Sequence, residues 1–334
     1  MNKLFTFVFR ITALCDKACE ACCNGQQKAI HIPTQLFLKK LDDIRLFTEA
    51  KKVQPIIGLT GGEPFLYVDP RNRSHIGLLV HCILERIPSA EILIRTSGWE
   101  AHPILDDRLA SLFNKIPKNQ LNISLGFNLF QKKGIGASKR FKHMLSLLLA
   151  HQDRVIFDVI YNRLNVEKTI DLIEAGLADF NFQYQGIRTH ILSQPSTPHR
   201  FTSRHREKAK QIIIEAYPAY NAYQQGNQAH FFDENVSCGV CHEIKTGPTQ
   251  LFYREDLSLY HCNDPFLDSR ISPIEKERFL SVSDEVNAMR DRLVRLRQLF
   301  FDQQLTFKNK QMRCAFCTRF MMRGRADVIN PLTE

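Results

Sequence analysis

No apolar run in this 334-residue chain approaches the roughly 20 residues needed to cross a bilayer, so no membrane-spanning helix is expected. None of its twelve histidines belongs to an HExxH or similar ligand pair, and its Ser, His and Asp residues form no nucleophile elbow. Zincin and serine-hydrolase chemistry therefore lack their signatures. Neither a repeat array nor extended disorder is indicated by a composition of 44% hydrophobic and 24% charged residues. The opening LFTFVFRITALC lacks the form of an export or lipoprotein signal, because Arg10 breaks the apolar stretch and Leu14 stands where a small residue would precede the cysteine. It reads instead as a first buried strand. With no export signal, the ten cysteines are better explained as metal ligands than as disulfides, and the expected location is the cytoplasm.

The formal net charge is +10, with basic residues gathered at Lys132-Lys133, Lys139-Arg140, Arg200 to Lys210 and Arg290 to Arg297. Spread in this way they read as solvated helix faces. Nucleic acid is not the expected partner, and RNA binding is the alternative. The length suits one large domain and a smaller one.

The chemistry lies in the cysteines. Cys15, Cys19 and Cys22 have the spacing C-x3-C-x2-C, and Thr60-Gly61-Gly62-Glu63-Pro64 follows. Thiolates bind a 4Fe-4S cluster one per iron, so three leave one iron open to a small molecule. A cysteine triplet also occurs in zinc loops, and GGEP alone is compatible with an ordinary glycine turn. Here each motif follows an apolar, β-branched and aromatic run, Phe5 to Ile11 and Pro55 to Leu59, that reads as a buried strand. In parallel barrels the ligand face lies at the C-terminal ends of the strands, so the two motifs should converge.

The alternation continues. Helices are predicted near Gln35 to Lys51 (capped by Thr34), Ile76 to Ile87, Leu105 to Asn114, Ser138 to Leu149 and Val166 to Leu177. Strands are predicted over Glu91 to Thr96, Leu121 to Leu125, Arg154 to Tyr161 and Phe180 to Tyr184. Cys82 falls on the apolar side of the second helix and reads as a core residue. Six strands alternating with helices predict an α/β fold with a parallel sheet.

With its CxxxCxxC loop after the first strand and GGEP after the second, the chain resembles the radical S-adenosylmethionine (radical SAM) superfamily. The resemblance covers about residues 4 to 187. It implies a partial (β/α)6 barrel and a 4Fe-4S cluster on Cys15, Cys19 and Cys22. Bound S-adenosylmethionine would be split reductively to a 5′-deoxyadenosyl radical that takes hydrogen from a substrate. Ala21 departs from the aromatic residue common before the third cysteine, and Cys23 directly follows Cys22. Carried over by position, Gly61 and Gly62 would let the backbone approach the cofactor, Glu63 and Pro64 would hold the turn, and Ser97-Gly98 stands where the family has a TNG turn. Ser124 and Asn162 fall where family members contact the ribose or carboxylate; each is equally compatible with a strand-end turn or cap.

Beyond residue 200 the pattern changes. A helix over Ser203 to Tyr217 and a polar linker at Asn221 to Gln228 precede Cys238, Cys241, Cys262, Cys314 and Cys317. Between Cys241 and Cys262, the runs LFY and LSLY flank Arg254-Glu255-Asp256 and predict a hairpin, followed by a long helix over Asp284 to Gln304. This resembles the auxiliary-cluster extension of the same superfamily, in its twitch form or as a reduced SPASM domain. The resemblance implies a second 4Fe-4S cluster on Cys262, Cys314, Cys317 and one of Cys238 or Cys241. The other thiol would be spare, solvent-facing or a hydrogen donor. Structural zinc on CxxC pairs is the alternative. The expected organisation is a barrel over 1–200, a helix and linker over 201–237 and an auxiliary domain over 238–334.

Members with this extension often modify peptides or proteins, so the leading expectation is a maturase of a ribosomally made peptide, by cross-link, thioether or epimerisation. It would draw electrons from a flavodoxin- or ferredoxin-type donor. Because the cluster loop begins by residue 15, leader recognition would fall to a separate protein, the basic surface or the auxiliary domain. The alternatives are a small-molecule dehydrogenase or cyclase, an RNA-modifying enzyme and a non-enzymatic zinc or iron protein.

Overall fold

The computed structural model describes residues 3–15, 29–97, 103–128, 137–218, 247–260 and 280–298. Strands β1 (Lys3–Thr12), β2 (Val53–Gly61), β3 (Glu91–Thr96), β4 (Leu121–Asn128) and β5 (Arg154–Tyr161) alternate with helices α1 (Thr34–Lys51), α2 (Ile76–Arg86), α3 (Pro103–Lys115), α4 (Ala137–His151) and α5 (Val166–Asp179). A two-residue strand β6 (Phe182–Gln183), helix α6 (Ile187–Ser193), strands β7 (His199–His205), β8 (Gln211–Pro218), β9 (Gln250–Tyr253) and β10 (Leu259–Tyr260), and helix α7 (Val282–Arg297) complete the described elements. One ten-stranded sheet runs β10-β9-β1-β2-β3-β4-β5-β8-β7-β6. Its seven consecutive strands from β9 to β8 are parallel, and β10, β7 and β6 are antiparallel edges.

Beyond β5 the structure departs from the expected pattern. The sixth parallel strand is β8, not Phe180 to Tyr184, of which only β6 is a strand, paired antiparallel to β7. The helix expected over Ser203 to Tyr217 is the β7–β8 hairpin. Ile212, Ile213 and Ile214 are consecutive β-branched residues, stiff at χ1 and better packed on a pleated surface than in a helix. The charged segment between the strands is a turn rather than a solvated helix face: His205 Nδ1 accepts hydrogen bonds from the Glu207 and Lys208 backbone N–H groups. The sheet thus continues past residue 200.

Register fixes which side chains share a face, because residues of a strand alternate between the two faces. Phe7, Ile57, Ile92 and Leu121 lie in one row, and this side carries helices: Phe5 and Phe7 pack on Phe47, and Phe9 on Phe37, both from α1. The helix-facing core is buried and includes Cys82, as expected, whose thiol pKa is pushed up by burial. Thr34 is the first residue of α1 and not its side-chain cap. The capping oxygen comes from a distant loop, Asp69 Oδ2 accepting from the Thr34 N–H at 2.7 Å, and such hydrogen bonds hold the Asp69 carboxyl down at about 2 against its burial.

The hairpin predicted around Arg254-Glu255-Asp256 is present as β9–β10 and extends the sheet beside β1. Its turn is fastened by Arg10, whose Nε and Nη2 lie 2.7 and 2.9 Å from the two oxygens of Glu255. Both side chains are buried. Further along, α7 docks on α1 through Lys40 and Glu285 at 2.9 Å, and the Tyr253 hydroxyl donates to Glu285 at 2.6 Å. Removing one partner of a buried ion pair strands the other charge. Glu255→Ala should therefore cost about 3–5 kcal/mol in chemical denaturation, and the double replacement Arg10→Met/Glu255→Leu clearly less.

Candidate functional site

Cys15 lies three residues beyond the end of β1 and is partly exposed. The chain on either side of residues 16–28 is tied together at its base, the Ala13 N–H donating to Ile30 and the Ile32 N–H to Ile11, each at 2.9 Å. The other predicted ligands, Cys19, Cys22, Cys238, Cys241, Cys262, Cys314 and Cys317, lie outside the described residues, as do Cys23 and Gly98.

The end of β2 meets this segment directly. Gly62 N–H donates to the Thr12 carbonyl and Glu63 N–H to the Leu14 carbonyl, each at 2.8 Å. A Cβ on Gly61 would overlap the Thr12 carbonyl oxygen, and one on Gly62 the Leu14 carbonyl oxygen; Gly61 in addition has φ +142°, where side chains are strained. The two glycines thus let the Thr60–Pro64 backbone press against the residue that precedes Cys15. Their bareness is used by the chain's own carbonyls, a packing reason distinct from the cofactor approach expected of them.

Glu63 is fully buried and accepts four hydrogen bonds. Oε1 takes the Thr96 hydroxyl at 2.8 Å and the Phe65 N–H at 3.2 Å, and Oε2 takes the Ser97 hydroxyl at 2.7 Å and the Ser97 N–H at 2.9 Å. The side chain caps a short 3-10 helix over Pro64–Leu66, with Pro64 at its first position. It thereby holds the ends of β2 and β3 together, and it engages both polar groups of Ser97. Burial raises the Glu63 pKa, and the four hydrogen bonds only partly offset this. A raised folded value means that its contribution to stability is present below the ordinary 4.5 and is lost as pH rises through the folded value. The gap in unfolding free energy between the wild type and Glu63→Ala should therefore shrink from acid toward neutral pH, as read by denaturant titration.

Ser124 and Asn162 do not join this group. Ser124 is buried in the sheet and its hydroxyl donates to Asp158 Oδ2 at 2.6 Å. Asn162 Oδ1 accepts from the Leu164 and Asn165 N–H groups at 2.9 and 3.1 Å, the turn-capping arrangement. What sequence reading misses is a polar row on the face opposite the core. Arg95, Asp158 and Glu215 stand on β3, β5 and β8, with Arg95 paired to Ser124 and Asp158 to Glu215 in register. The only signal is a charged residue in the middle of each apolar strand, and it gains meaning once pairing aligns them. A separate cavity of about 440 Å³, lined by Glu91, Lys118, Asn122, Gln152 and Arg154 among others, opens at the N-terminal ends of these strands, away from Cys15.

Among the described residues the predicted ligand set is represented by Cys15 alone, a thiol of the type that binds iron-sulfur clusters, at a strand end on a segment closed at its base and braced by the glutamate turn. Residues 6–117 match the family described as a 4Fe-4S single cluster domain, in agreement with the expected cofactor. No curated protein gives a match. Among solved structures the chain is similar to native anSMEcpe with bound AdoMet and Cp18Cys peptide, at 9% identity and TM-score 0.55 over 96% of this chain and 88% of that one. Native anSMEcpe with bound AdoMet is similar at 11% identity and TM-score 0.52, over 96% and 87%. Streptococcus suis SuiB bound to precursor peptide SuiA aligns at 11% identity and TM-score 0.46, over 94% and 70%. At such identities the likeness is one of fold.

Proposed function

We propose that this chain, whose fold is that of the radical SAM superfamily, is a radical SAM enzyme that removes hydrogen from a peptide or protein substrate. The observation that carries the reading is the joint between the two motifs: the backbone of Gly62 and Glu63 is hydrogen-bonded to Thr12 and Leu14, immediately before Cys15. When bound, a 4Fe-4S cluster on Cys15, Cys19 and Cys22 and S-adenosylmethionine at its open iron would supply the radical chemistry. The chain's own residues do the positioning. Glu63, through Thr96 and Ser97, fixes where the β2 and β3 ends stand relative to Cys15. Arg10 and Glu255 fix the hairpin that Cys241 precedes and Cys262 follows. Gly61, Gly62 and Ser97 are proposed beside the cofactor, Ser97 through its hold on Glu63, whereas Ser124 and Asn162 are engaged by Asp158 and by their own turn.

The peptide reading is supported by the resemblance to auxiliary-cluster enzymes and by the peptide present in the similar anSMEcpe structure. Cys262, Cys314, Cys317 and one of Cys238 or Cys241 are proposed for an auxiliary 4Fe-4S cluster. Iron analysis should then give about eight irons per chain, against about four without that cluster, while zinc in place of iron would overturn the auxiliary assignment. If the spare thiol donates hydrogen, Cys238→Ala or Cys241→Ala should abolish turnover while leaving S-adenosylmethionine cleavage measurable; turnover surviving both changes would remove that role. The reaction class is tested by product mass after anaerobic incubation with a candidate peptide. A loss of two mass units indicates cross-linking or oxidation, unchanged mass with solvent deuterium uptake indicates epimerisation, and turnover of small molecules alone would contradict the peptide reading.

A further inference from the structure

Residues 62–69 grip both stems of the segment that carries Cys19 and Cys22. Gly62 and Glu63 donate to the incoming stem, at Thr12 and Leu14. The outgoing stem is held by a second set of contacts centred on Tyr67. Its hydroxyl donates to the Ile32 carbonyl at 2.9 Å and lies 3.3 Å from Thr34 Oγ1. Beside it, Asp69 Oδ2 accepts from the Thr34 N–H at 2.7 Å. The His31 ring stands edge-on to the Tyr67 ring at 5.9 Å, and its Nδ1 faces the Val68 N–H at 3.5 Å. Between the two grips lies the 3-10 helix over Pro64–Leu66, closed by hydrogen bonds from the Leu66 N–H to Glu63 and from the Tyr67 N–H to Pro64 at 2.9 and 3.0 Å. A hydrogen-bonded turn of this kind is a spacer of fixed length, so the grip on one stem is referred to the grip on the other.

Tyr67 and Ile32 are fully buried, and Thr34 is nearly so. A phenylalanine at position 67 would fill almost the same volume. The hydroxyl is therefore not needed for packing, and its partners all belong to the outgoing stem. Burial pushes the Tyr67 pKa up to about 12, so the hydroxyl stays a donor at any working pH. We propose that Tyr67 is a positioning residue for the cluster on Cys15, Cys19 and Cys22: through its hydroxyl it holds the outgoing stem against the incoming one, so that the three thiols act as one ligand set. The contacts on both stems are made by protein groups alone, and the base of the seat is thus formed before iron enters. The inference rests on the cluster assignment above and adds what keeps that cluster in place.

The test follows release of the cluster from the full, anaerobically reconstituted chain after addition of a ferrous chelator. The readout is the electron paramagnetic resonance signal of the reduced protein that changes on adding S-adenosylmethionine, which separates the cluster with the open iron from any auxiliary one. Tyr67→Phe should lose this signal roughly five- to tenfold faster than the wild type, the scale of removing the donor from one buried carbonyl, with an unchanged far-UV circular dichroism spectrum. Tyr161→Phe is the control: it removes a buried hydroxyl that donates to the Thr197 carbonyl at 3.4 Å, at the end of β5. It should release the cluster at the wild-type rate. Asp69→Asn, which disturbs the neighbouring contact on Thr34, should act in the same direction as Tyr67→Phe and keeps the test decisive if that variant fails to fold. Wild-type release rates in both Tyr67→Phe and Asp69→Asn, or equal acceleration by Tyr161→Phe, would overturn the proposal. Formation of 5′-deoxyadenosine by the wild type is measured in parallel. If it occurs while the variants keep the wild-type release rate, the positioning role fails and the enzyme reading stands; a wild type that takes up no cluster overturns both.

Discussion

Cys15→Ala is expected to lower iron content by about four atoms per chain and to reduce 5′-deoxyadenosine formation to background. Two thiolates cannot hold a cluster that assigns one cysteine to each of three irons. Cys15 is also the ligand whose position the fold determines most directly, since hydrogen bonds from Gly62 and Glu63 to the Thr12 and Leu14 carbonyls fix the chain just before it. Its side chain is partly exposed and belongs to no buried core cluster, so the loss should appear in metal and activity with little change in far-UV circular dichroism. Metal analysis and absorbance of the anaerobically reconstituted variant read this directly. Full iron retention would mean that the front cysteines do not act as one ligand set.

Glu63→Ala should cost about 3–5 kcal/mol of stability, the scale for breaking a buried hydrogen-bond network. It strands two hydroxyls and two backbone N–H groups. Glu63→Gln should recover only part of this. Each carboxylate oxygen accepts one fixed backbone N–H, from Phe65 and from Ser97, and an amide has a single acceptor oxygen. One N–H then faces an NH2 group, an unpaired donor costing about 1–3 kcal/mol. Denaturation of the three proteins should rank them wild type, Gln, Ala. Equal stability of the Gln and Ala variants would show that the geometry of the four bonds does not matter.

How much of this is legible in the sequence depends on whether a feature is local. The strands Glu91–Thr96 and Arg154–Tyr161 carry their alternation openly, and their predicted bounds are the bounds observed. The motif GGEP places Glu63 in the site, yet its partners Thr96 and Ser97 lie over thirty residues away and follow only from the pairing of β2 with β3. The β7–β8 hairpin passes for a helix because charges at Arg204 to Lys210 mimic a solvated helix face, while the His205 ring that caps the turn leaves no pattern in one dimension. The row from Arg95 to Glu215 is invisible before register is known, because each charge alone looks like an interruption of an apolar strand.

The most direct measurement is anaerobic incubation of the iron-loaded protein with S-adenosylmethionine and a strong reductant, followed by quantification of 5′-deoxyadenosine. The wild type is predicted to form it, and Cys15→Ala to form none. An intact iron-sulfur absorbance with no 5′-deoxyadenosine from the wild type, or equal amounts from both proteins, would contradict the account.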